Sequence, residues 1–235
     1  MTGDATSAVA DRHQVWVAVV GSIVLMAAYL VARDRLEGPV EVVLAIVLVA
    51  ATVGAAWWAG ASLADLGLRP VDLGSGAAWG LAIGAGLAAL IVAVSWVPAA
   101  DDFFADERYS DLDGGQLAFE ALVRVPIGTA LFEELLFRGV LLGLALMVTG
   151  RLVAVISSSV LFGLWHVFAA TDFADTNDGV GSTAVLAVVA GTVLVTGVAG
   201  AALAWLRLRS RSVLAPTIVH AAVNSTALLV AAANS

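Results

Sequence analysis

An all-α, polytopic transmembrane bundle of about seven spans is the fold this sequence predicts. Three observations carry that expectation. The 235 residues are 61% hydrophobic and only 13% charged. The mean hydropathy is +0.99. The apolar residues also come in runs long enough to cross about 30 Å of hydrocarbon at about 1.5 Å per residue. A soluble domain carries roughly a quarter charged residues, twice what this chain has. The runs are rich in Ala, Gly, Val and Leu and do not alternate polar with apolar, which argues against a barrel. Helices satisfy every backbone group within the segment.

The spans expected in order are Gln14 to Ala32, Val40 to Ala59, Gly76 to Val97, Phe119 to Val148, Leu152 to Ala170, Thr183 to Leu206 and Val213 to Ala233. The first three are nearly free of charge, whereas the fourth contains several charged groups. The tail Met1 to His13 carries Asp4, Asp11 and Arg12 and lacks a positive n-region, so the first span is read as retained. In the third span Gly76, Gly80 and Gly84 recur every four residues on one face, the pattern of close helix packing in membranes. Trp57, Trp58, Trp79 and Trp96 lie near span ends and fit an interfacial belt. The chain divides into residues 1–115, N-terminal spans with an acidic loop, and residues 116–235, a core that holds the chemistry.

Charge excludes some partners and orients the rest. Acids outnumber bases 19 to 11, every base is Arg, and nucleic acid is an improbable partner. The partners expected are the lipid bilayer and a membrane-associated peptide or protein, in a multi-pass protein of the cell membrane. The linker Pro98 to Gln116 and the loop Thr171 to Ser182 are rich in Asp, while Arg207, Arg209 and Arg211 lie between the last two spans. By the positive-inside rule the arginine loop is cytoplasmic and both acidic loops are outside, with Arg33 and Arg35 against the rule. There is no Cys, so thiol nucleophiles and cysteine metal sites are excluded.

Ionisable groups inside hydrocarbon are costly and mark function or mutual pairing. Here they gather in the C-terminal half: Glu120, Arg124, Glu133, Glu134 and Arg138 in the fourth segment, His166 in the fifth, His220 and Asn224 in the seventh. Glu134 and Arg138 are one turn apart and pair, leaving Glu133 without that partner. Glu120 and Arg124 repeat the spacing as a compensated ion pair. Pro126 and Gly128 are expected to break the segment into an amphipathic lead-in and a true span. Phe162 and His166 share a face, as do His220 and Asn224, and Pro216 leaves the carbonyl of Ser212 free one turn earlier.

Singly, each has a structural explanation. Together, two glutamates and two histidines on different helices can converge in a bundle interior. Such a set does one of two related things. Glu133, His166 and His220 can bind Zn2+ or another divalent metal and activate its water. Alternatively, Glu133 acts on water as a general base without metal, while His and Asn donate to the oxyanion. Either gives hydrolysis of an acyl bond.

These residues stand in three ordered motifs: E-E-x-x-x-R in FEELLFRG, F-x-x-x-H in FGLWH, and H-x-x-x-N in SVLAPTIVHAAVN. Over roughly Leu117 to Leu228 the chain resembles the CAAX prenyl endopeptidase and bacteriocin-processing (CPBP, or Abi) family of intramembrane proteases. The resemblance implies a helical membrane bundle with catalytic groups at Glu133, His166, His220 and Asn224, supported by Glu134, Arg138 and Phe162. It implies an endopeptidase acting on a membrane-embedded or lipidated protein, by a metal or a glutamate-activated water. Eukaryotic members act on prenylated CAAX proteins; many prokaryotic relatives act in bacteriocin maturation or immunity. The rival readings are a transporter or proton relay, which paired broken helices or inverted repeats would favour, and a non-catalytic immunity or scaffold protein.

Overall fold

The computed structural model describes residues 11–33, 39–100, 112–176 and 182–234. Most of the acidic linker, the loop at 177–181, and Asp4, Asp34, Arg35 and Glu37 lie outside the described residues. Within them the chain forms seven helical rods and no strand. These are α1 (Arg12–Arg33), α2 (Pro39–Trp58), α3 (Leu73–Val94), α4 (114–148), α5 (151–176, interrupted at His166), α6 (Ser182–Ser210) and α7 (Leu214–Asn234). They correspond in order to the seven expected spans. By length and composition, α1, α3, α5, α6 and α7 can each cross a membrane, whereas the apolar part of α2, Val43–Trp58, is shorter.

The rods run up and down. The Arg12 guanidinium at the start of α1 donates to the carbonyl of Val148 at the end of α4, 3.2 Å. Near the first turn of α7, the Val213 amide donates to Gly67 O in the α2–α3 loop, 3.0 Å. Asp11 caps α1 by accepting from the His13 amide, 2.9 Å. Asp113 caps α4 in a reciprocal box with Gln116.

Helix α4 is the axis of the fold, and this explains how it can hold charge. Its Val140 and Leu144 pack with Val15, Ala18 and Ala56 of α1 and α2. Its Phe132, Leu136 and Phe137 pack with Met26, Tyr29, Leu48, Phe162 and Trp165. Lipid-facing positions sit elsewhere: Leu152, Leu186 and Leu194 are each about 70% exposed (72%, 69% and 68%). Between membrane helices there is no hydrophobic driving force, so close packing and hydrogen bonds must supply the association. The α3–α7 seam does this with glycine. A Cβ on Gly80 would lie 2.8 Å from Ile218 Cβ and 3.0 Å from Ala215 O, and Gly76 and Gly84 face the same helix. The packing expected of the three glycines is observed.

Two local expectations are corrected. The segment does not break at Pro126 and Gly128. It stays helical from 114 to 148, with the wider π pattern over Glu120–Leu131 and again over Leu135–Leu141. Proline lacks a donor and crowds the carbonyl one turn back, and the widened turns accommodate it within a continuous helix. Nor does Pro216 leave the carbonyl of Ser212 free. It lies in the first turn of α7, where a missing N–H costs nothing, and the carbonyl of Ser212 accepts from the Ser210 hydroxyl, 3.2 Å.

Candidate active site

The short α-helical turn Phe132–Glu134, between the two π segments, puts two adjacent glutamates into the bundle interior. They face different partners. Glu134 is fully buried and its Oε1 accepts from Arg138 Nη1 and from His220 Nδ1, both at 2.9 Å. Arg138, also fully buried, donates through Nη2 to Gly200 O at 3.2 Å and stacks over the Phe162 ring at 3.9 Å. Gly200 permits that approach: a Cβ there would meet Phe162, Arg138 and Ser159 at 3.2–3.3 Å. Leaving one member of this buried network unpaired costs about 3–5 kcal/mol.

Glu133 has the other role. Its Oε1 accepts from the indole N–H of Trp165 at 2.9 Å. Its Oε2 is buried without a hydrogen-bond partner, 3.9 Å from His166 Nε2 and 4.0 Å from His220 Nε2. The opposite nitrogen of each ring is taken. His166 Nδ1 lies 2.8 Å from Phe162 O and His220 Nδ1 faces the Glu134 carboxylate. A carbonyl or carboxylate only accepts, so in both rings Nδ1 carries the proton and Nε2 is turned to Glu133 Oε2.

The break in α5 sets this geometry. His166 leaves the helix at φ −85°, ψ 1°, with its amide donating to Gly163 O, 3.1 Å, and the helix resumes at Val167. Phe162 lies edge-on to both imidazoles, with centroids 4.6 Å from His166 and 5.9 Å from His220. It therefore supports the site through its ring as well as its carbonyl.

Glu133, Glu134, Arg138, Phe162, His166 and His220 are thus brought together. Asn224 is one turn beyond His220 on α7, half-buried, and its side chain makes no protein hydrogen bond among the described residues. Glu120 and Arg124 form their pair at 2.8 Å, outside the site. Trp165 and the carbonyl of Gly200 were not anticipated from the sequence. Trp165 immediately precedes His166, but one more apolar residue in an apolar run carries no signal of its own.

The donor set of one carboxylate and two imidazoles suits zinc chemically. Ligand bonds of about 2.0–2.1 Å imply edges of roughly 3.4 Å in a tetrahedral site, against 3.9 and 4.0 Å from Glu133 Oε2 to the two Nε2 atoms. The separations here are wider, and among the described residues no group of three or more His, Cys, Asp or Glu is arranged to hold a metal.

No curated protein and no solved structure matches the chain. Residues 115–226, the segment that contains all of α4's charged groups and both site histidines, match the family model described as type II CAAX prenyl endopeptidase Rce1-like. This segment, with its three motifs and the site they form, is similar to the Rce1-like type II CAAX prenyl endopeptidases.

Proposed function

We infer that the protein is a multi-pass endopeptidase of the cell membrane that hydrolyses a peptide bond of a membrane-embedded or lipidated protein. One observation carries this reading: Glu133 Oε2 is buried, unpartnered and faced by the Nε2 atoms of two histidines. A carboxylate so placed is a general base for a water held between it and the imidazoles.

In this mechanism Glu133 takes a proton from the water as its oxygen adds to the scissile carbonyl. Asn224, whose amide has no protein partner among the described residues, donates to the oxyanion. His220 does the same when it carries a second proton, its charge compensated by Glu134. The intermediate collapses, the C–N bond breaks, and the proton held by Glu133 passes to the leaving nitrogen. A carboxylic acid and an amine result.

His166, His220 and Glu133 are also the atoms that a divalent ion such as Zn2+ would have to draw together. The decisive assay uses protein purified in lipid nanodiscs with lipidated C-terminal peptides and transmembrane peptides, with and without a chelator. Cleavage that survives chelation in metal-free protein and disappears in Glu133→Gln supports the water mechanism. Loss on chelation with recovery on zinc addition supports the metal. No cleavage of any peptide, with proton-coupled transport by the same protein reconstituted in sealed vesicles, favours the relay reading.

A further inference from the structure

We propose that Trp165 is a positioning residue for Glu133, its indole N–H fixing one carboxylate oxygen so that the other is presented to the two histidines. This rests on the endopeptidase reading above and adds to it a residue at an unspecified position of the second motif.

Trp165 and His166 are consecutive, yet they address different oxygens of one side chain. The indole donates to Glu133 Oε1 at 2.9 Å and the imidazole Nε2 is 3.9 Å from Oε2. On an unbroken helix consecutive side chains diverge by about 100°. Here the first part of α5 ends at Trp165 and His166 is in a non-helical turn, so both can face Glu133.

The indole is itself held rigidly. It stacks parallel to Tyr29, with centroids 6.0 Å apart and planes at 2°, and meets Phe137 edge-on at 5.6 Å. Trp165 is only 6% exposed. An indole has one donor and no acceptor, so its single hydrogen bond is spent on Glu133. A carboxylate free to rotate about its last torsion would divide its time between orientations. With Oε1 held, one oxygen stays aimed at the water. The bond adds no group to the reaction; it acts through the orientation of Glu133 and so bears on turnover, not on substrate binding.

The test replaces Trp165 by phenylalanine and by benzothienylalanine, which keeps the bicyclic shape and exchanges N–H for sulfur. The expected result in nanodiscs is a fall in kcat on the order of a hundredfold, with KM unchanged in both variants. The benzothienylalanine variant should melt with the parent. Ultraviolet Raman spectra, parent minus Trp165→Phe, should isolate a hydrogen-bonded indole N–H, and the same subtraction in a Glu133→Leu background should give a free one. Parental kcat in the benzothienylalanine variant overturns the proposal while leaving the endopeptidase reading intact. An equal rise in KM and loss of melting temperature would make Trp165 a packing residue and also overturns it. If the parent cleaves nothing, the endopeptidase reading fails on its own, and a free N–H in the parent spectrum overturns the hydrogen bond independently of activity.

Discussion

His220 Nδ1 and Glu134 Oε1 lie 2.9 Å apart, across the contact between α7 and α4. The spacing of Glu134 and Arg138 anticipates a buried ion pair, which is present, but not this second partner. Glu134 therefore belongs both to the packing of α4 and to the orientation of a site histidine.

Glu134→Gln should accordingly lose both stability and activity. The neutral amide leaves Arg138 poorly compensated, at a cost of about 3–5 kcal/mol, and its Oε1 can serve His220 only if the amide group is not turned to meet Arg138's neighbours. Melting in detergent and cleavage in nanodiscs should fall together. A variant that is fully stable and fully active removes Glu134 from the site.

Glu133→Gln should separate the two. The amide oxygen still accepts from Trp165 and fits the same space, so melting should stay near the parent. A general base contributes about a hundredfold to ten-thousandfold, and turnover should drop within or beyond that range. Residual cleavage near the parent rate would reassign the base.

Asn224→Ala removes no protein hydrogen bond seen among the described residues. Melting should hardly change, while kcat falls by about a hundredfold to a thousandfold if the amide donates to the oxyanion. Unchanged kcat with intact folding would leave the oxyanion to His220 alone.

Gly200→Val tests how α6 reaches the network from outside the motifs. Even a Cβ meets Arg138 and Ser159 at 3.3 Å, and the branched side chain must push α6 away from α4. A loss of about 1–3 kcal/mol is expected, with reduced turnover as Arg138 loses the carbonyl of Gly200. Substitution at Gly191, where a Cβ meets nothing within 4 Å, should leave melting unchanged and serves as the control.

Much of the molecule is legible in the sequence because membrane crossing imposes a length and a composition on each helix. The order of the seven rods, the glycine face of α3 and the concentration of ionisable residues in the C-terminal half follow from one-dimensional pattern. Helical periodicity likewise pairs Glu134 with Arg138, since both lie on one helix. Periodicity is silent wherever partners come from different helices or the helix departs from its ordinary pitch. The π turns around Pro126 and the break at His166 decide which way the glutamates and the imidazole point. Only the packing of α4 against α5, α6 and α7 brings Trp165 to Oε1 and both Nε2 atoms to Oε2 of Glu133, and the carbonyl of Gly200 to Arg138. Composition and spacing specify which groups the membrane must hide; helix packing selects which of them meet, because in hydrocarbon a buried polar atom must find its partner on whichever helix is packed beside it.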